Sequence, residues 1–89
     1  MAKINSNLLE NKQRIRYIEI NLNGATSRQL DADVYMILYY NYNYQSDTSH
    51  YTTGLPSEVS VYIQDNRLYL YVGSTFTSDK YIRIAYVKN

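Results

Sequence analysis

The only histidine, His50, stands beside Ser49 and three residues after Asp47. A hydroxyl, an imidazole and a carboxylate within mutual reach are the parts of a nucleophilic triad. Here they share the polar run "QSDTSHYTTG", where a serine next to a histidine is commonplace. No second histidine, cysteine or HExxH pattern accompanies His50, so metal ligation has no support either. The carboxylates are Glu10, Glu19, Asp31, Asp33, Asp47, Glu58, Asp65 and Asp79. Glycoside hydrolysis needs two of them facing one cleft. Most sit where turns and strand ends are expected, and there Asp and Glu cap and solubilise. Asp31-Ala-Asp33 has too few oxygens for an EF-hand loop. The three glycines are scattered, so no phosphate cradle exists. The expectation is a protein that is not an enzyme and holds no cofactor or metal.

Tyrosine is the residue in excess. Twelve occur, with one phenylalanine and no tryptophan, and five of the twelve lie in residues 39–54, "YYNYNYQSDTSHYTTG". A tyrosine offers a flat apolar face and a hydroxyl, and loses little entropy on contact. Binding loops mix it with Ser, Asn and Gly for that reason. The candidate ligand contacts are therefore Tyr39, Tyr42, Tyr44, Asp47, His50 and Tyr51, meeting a glycan or protein surface. In the alternative, Tyr40, Tyr42 and Tyr44 continue a buried face or pack between subunits.

These residues need strands to position them. In "SEVSVYIQDNRLYLYVG", Val59, Val61 and Ile63 alternate with polar residues, and then Leu68, Leu70 and Val72 do so with the opposite parity. That change of parity predicts a two-residue turn at Asp65-Asn66. The pairs would be Gln64–Arg67, Ile63–Leu68, Val61–Leu70 and Val59–Val72 on that register, with Tyr62 facing Tyr69 and Ser60 facing Tyr71. A slip by one residue would exchange the faces, so the pattern specifies its own register. "KYIRIAYV" alternates again, with Ile82, Ile84 and Tyr86 against Tyr81, Arg83, Ala85 and Val87. Phe76, in the loop before it, is expected to lid the core.

"RIRYIEINLNG" puts Ile18, Ile20 and Leu22 on one face and Ile15, Tyr17 and Glu19 on the other, with Gly24 at a turn. "SRQLDA" reads as a loop or one short helical turn. Residues 34–44 read as a strand with even positions Val34, Met36, Leu38, Tyr40, Tyr42 and Tyr44 on one face. The odd positions are Tyr35, Ile37, Tyr39, Asn41 and Asn43. Its first half is apolar on both faces, as in a central strand covered on both sides. The low helix propensity of Tyr, Val, Ile and Asn argues against a helix there. "QSDTSHYTTGLPS" reads as a long loop.

The fold class expected is all-β, a small antiparallel sandwich or open barrel. Its five main strands fall at about 15–22, 33–44, 58–64, 67–72 and 80–87. Residues 1–14 would be a stem or flexible tail, with Ile4, Leu8, Asn11 and Ile15 at coiled-coil spacing; residues 15–89 form the module. A chain of 89 residues is one domain, and its core is marginal without a supplement. With no cysteine the supplement cannot be a disulfide, and a homo-oligomer is expected. Nine Lys and Arg balance eight Asp and Glu, with no basic block, which argues against nucleic acid. No apolar run approaches the ~20 residues of a membrane helix, and "MAKINSNLLENK" lacks the apolar core of a secretory signal. Synthesis in a cytoplasm is expected.

Residues 54–89 follow a recognisable order of elements. Leu55-Pro56 precedes an alternating strand, a two-residue acidic or amide turn, the Leu68-Tyr69-Leu70-Tyr71 strand, a loop and a last alternating strand. This order resembles the carboxy-terminal ends of bacteriophage tail-fibre and related virion proteins. The resemblance implies a trimeric β-sandwich tip on a virion, made in the host cytoplasm. It would work beside other virion proteins and often carry the host-recognition surface. A purely structural virion or assembly protein is the alternative.

Overall fold

The computed structural model describes residues 14–43 and 51–89, and the expected stem at residues 1–14 lies outside them except for Arg14. Among the described residues seven strands follow one another: β1 (Ile15–Asn21), β2 (Arg28–Asp31), β3 (Val34–Asn43), β4 (Tyr51–Thr53), β5 (Val59–Gln64), β6 (Arg67–Val72) and β7 (Tyr81–Lys88). They form two antiparallel sheets, ordered β1-β7-β3-β4 and β2-β6-β5. The class is all-β and sandwich-like, and neither sheet closes into a barrel.

The five expected strands are all present. The two additional ones, β2 and β4, are short. Arg28–Asp31 is extended and pairs with β6, where a loop or helical turn was expected. Tyr51–Thr53 pairs with Asn41–Asn43 inside the stretch read as loop. Neither has an alternating apolar pattern of its own. Each is extended because a neighbouring strand supplies the hydrogen bonds its backbone needs.

The β5–β6 hairpin has the register that its parity change predicts, from Gln64↔Arg67 to Val59↔Val72. Asp65 and Asn66 both take positive φ, 54° and 61°, as a type I′ turn requires. Tyr62 and Tyr69 stack across the pair at 5.4 Å between centroids.

The core lies between the sheets. Ile20, Leu22, Val34, Ile82, Ile84 and Tyr86 meet Val59, Val61, Leu68 and Leu70, all buried. Phe76 packs against this cluster and bridges to Asn23, the expected lid role. One polar cluster ties the sheets together. The Tyr86 hydroxyl on β7 donates to Asp31 Oδ2 on β2 at 2.6 Å, and Lys88 Nζ donates to Oδ1 at 2.9 Å. The backbone N–H of Ala32 also donates to Oδ1.

Strand β3 departs from strict alternation. It spans ten residues against the eight of β7, and the register shifts twice, between Val34 and Met36 and between Ile37 and Tyr39. Each shift is a β-bulge, which sets two residues against one. Val34, Ile37, Tyr40 and Tyr42 consequently face the core. Met36 and Leu38, expected on the same face as Val34, are exposed instead, and Ile37 takes the inward place. Among the described residues, nothing covers the outer side of this half-strand, where cover on both sides was expected.

The Tyr86 bond, together with Lys88 and the Ala32 N–H, holds the Asp31 carboxyl below the usual range. A lowered pKa stabilises the fold above the ordinary aspartate range near pH 4, and that contribution is lost as pH falls through the lowered value. Burial, then the bond to Asp31, pushes the Tyr86 phenol up to about 12. Its contribution is present below about pH 10 and lost as pH rises towards 12. Tyr86→Phe keeps the ring and removes the bond, and should cost about 1–2 kcal/mol at pH 7. In thermal melts from pH 2 to 12 the variant should also show a flatter alkaline limb. Equal melting temperatures across that range would refute the bridging role.

Candidate functional site on the outer sheet face

The outer face of the four-stranded sheet is built in cross-strand rows. Ile15, Val87 and Met36 form the first, and Tyr17, Ala85 and Tyr39 the second. The third holds Glu19, Arg83, Asn41 and Thr53, and the fourth Asn21, Tyr81, Asn43 and Tyr51. The face therefore grades from apolar to polar along the strands. Tyr35 and Leu38, the residues left over by the two bulges, add to its apolar end.

At the polar end three side chains meet. Arg83 Nε donates to Glu19 Oε2 at 2.9 Å, and the Tyr51 hydroxyl donates to the same oxygen at 3.0 Å. The guanidinium carbon sits 4.1 Å from the Tyr51 ring centroid, a cation–π contact. Tyr51 thus lies across the sheet from the edge strand β4, over Arg83, to reach β1. Both donors use Oε2, and among the described residues no hydrogen bond reaches Oε1. The hydrogen bonds from Arg83 and then Tyr51 hold the Glu19 carboxyl below the ordinary range. Burial, followed by the bond to Glu19, pushes the Tyr51 phenol up. The Arg83–Glu19 pair is about half exposed, so solvent screens it and it adds little to stability. It fixes geometry: a flat aromatic surface with a cation and an anion held at its edge.

Between the polar trio and the apolar end lies a shallow groove of about 190 Å³, lined by Tyr17, Glu19, Tyr39 and Arg83. Ile18 and Ile84 complete its lining, and Ala85, paired with both tyrosines across the sheet, is fully buried. Two strand spacings, about 9–10 Å, separate the backbones that carry Tyr17 and Tyr39. That span admits one flat ring between the two side chains.

The expected contacts divide three ways. Tyr39 is exposed on this face and Tyr51 is part of the trio. Tyr42 turns the other way and packs against the core, where burial raises its phenol pKa. Tyr44, Asp47 and His50 lie outside the described residues. Three residues of the face were not singled out as contacts from the sequence: Tyr17, Glu19 and Arg83. Their strand parity was visible, since Tyr17 and Glu19 share a face, as do Arg83 and Ala85. The adjacency of β1, β7 and β3 was not visible.

Among the other described carboxylates, Asp31 is held by Tyr86 and Lys88, and Asp79 accepts from Asn21 and Asn23. Among the described residues, no three His, Asp or Glu side chains converge as metal ligands would.

Removing the acceptor tests the trio. In Glu19→Gln the Tyr51 titration midpoint, followed by NMR of ¹³C-labelled tyrosine rings, should move down towards that of an ordinary phenol. The portion of the shift caused by burial should remain. A midpoint identical to wild type would show that Glu19 does not hold Tyr51.

In comparisons with known proteins, no family model, no curated protein and no solved structure matches the chain.

Proposed function

We propose that this chain is a recognition module, not an enzyme, and that its ligand site is the polar-aromatic end of the outer sheet face. The observation that carries this is the trio Tyr51–Arg83–Glu19 beside the exposed ring of Tyr39. Exposed aromatic faces next to fixed donors and acceptors suit a ligand that is apolar on one side and hydroxylated or amide-bearing on the other. A cell-surface glycan has that character, and so does a protein loop. The likeness of residues 54–89 to tail-fibre ends adds the setting, a phage particle meeting its host. A catalytic role has less to support it, because Glu19, Asp31 and Asp79 are each committed to separate polar networks.

A second reading, a structural virion or assembly protein, is favoured by the apolar end of the same face. Tyr17 and Tyr35 remain 69% and 66% exposed there. The two readings differ in what the polar end does.

The test is binding of fluorescently labelled chain to host cells and to a glycan array. Tyr39→Ala with Tyr51→Ala should weaken binding at least tenfold without altering the native mass. Tyr62→Ala with Tyr71→Ala, on the opposite sheet, should leave binding unchanged. Full binding by the first variant would overturn the ligand site. Loss of native mass in that variant would favour the structural reading.

A further inference from the structure

We infer that the apolar end of this face is an interface between two copies of the chain, packed face to face about a two-fold axis. The inference rests on how many large side chains the fold delivers there. An unbulged strand sends alternate residues to each side. The two bulges of β3 instead leave Tyr35, Met36 and Leu38 exposed together, at 66%, 43% and 44%. A groove of about 480 Å³ runs beside them, lined also by Ile15 and Val87 and rimmed by Arg14, Lys88 and Asn89. Bulges are specific features, and these two concentrate apolar surface at one place.

The available area fits a second copy. The exposed parts of Tyr17, Tyr35, Met36 and Leu38, with Ile15 and Val87, amount to roughly 500 Å² of mainly apolar contact. A standard interface takes about 800 Å² from each partner, core and rim together. The patch therefore supplies the apolar core of such an interface, and the charged and amide residues around the groove supply a rim. One self-complementary patch makes an isologous two-fold contact. A trimer, as expected from the sequence, would need two different complementary surfaces on each chain. The net charge of +1 sets up little repulsion between copies.

Face-to-face packing also agrees with the strand edges. Only Asn41–Asn43 of β3 pair with β4, so the bulged half of β3 has an edge that no described strand covers. Bulges twist such an edge away from strand addition. Docking through the sheet face does not use that edge. Offset packing of two apolar ends leaves both Tyr51–Arg83–Glu19 trios free at opposite ends. If the proposed ligand site holds, the pair is bivalent, and its avidity on a cell surface exceeds that of one copy.

Sedimentation equilibrium from about 1 to 300 µM tests the interface. Wild type should approach two chain masses, and Met36→Lys with Leu38→Lys should remain monomeric with an unchanged circular dichroism spectrum. Tyr35→Arg provides an independent second variant with the same expected result. Tyr62→Lys, on the opposite sheet, should associate as wild type does. A wild type that stays monomeric throughout would overturn the inference, as would association that survives all three charges. A three-chain mass abolished by the lysines would overturn the two-fold. The monomeric variant should still bind isolated ligand with wild-type affinity, so a failure of the ligand site is read separately from a failure of the interface.

Discussion

Ten residues of β3 run against eight of β7, and the two extra residues have to be accommodated within a continuous hydrogen-bonded ladder. That constraint decides the character of both faces of the larger sheet. With a bulge after Val34 and another after Ile37, the inward positions become Val34, Ile37, Tyr40 and Tyr42. Their partners across the ladder are Lys88, Tyr86, Ile84 and Ile82. The core closes because an aliphatic or aromatic residue falls at each inward site. The same step leaves Tyr35, Met36 and Leu38 with no inward place. A strand in perfect alternation would have sent Met36 and Leu38 into the core and left Ile37 outside.

Strand β7 receives that arrangement and passes it on. It lies between β1 and β3, so every residue on its outer side is flanked by two neighbours. Ala85 is small and sits between Tyr17 and Tyr39, which accounts for its complete burial. Arg83, one step along, lies between Glu19 and Asn41 and under the ring of Tyr51. On the inner side, Tyr86 and Lys88 reach Asp31 on the other sheet, a polar tie that aliphatic packing alone does not provide. The central strand thus supplies the middle of the core, the floor of the outer face and the link between layers.

The division of the outer face follows from strand direction. Apolar residues gather at one end of β1, β7 and β3, and polar ones at the other. Contiguous exposed apolar patches larger than a few hundred Å² are rare on monomeric proteins, and the largest patch on a chain is often functional. A fixed cation–π pair with a carboxylate marks a place where a polar ligand can be oriented. A single sheet face therefore carries two unlike surfaces. Each is assembled from strands far apart in the chain, with Glu19 and Arg83 separated by 64 residues.

By itself the sequence determined what depends on neighbours within a few residues. The β5–β6 hairpin, its turn at Asp65-Asn66 and all six of its cross-strand pairs follow from alternation and turn chemistry. So do the inward faces of β1 and β7. Only the tertiary structure decided what depends on distant partners. Strands β2 and β4 exist because β6 and β3 lie alongside them. The bulges exist because β3 must match a shorter strand some forty residues further on. Ile37 turns inward and Met36 and Leu38 outward for that reason, and Tyr51 meets Glu19 and Arg83 only because the sheet order puts β1, β7, β3 and β4 side by side. Alternation is a property of the local backbone and can be read along the chain. Register between strands is a property of the pair, and no single stretch of sequence contains it.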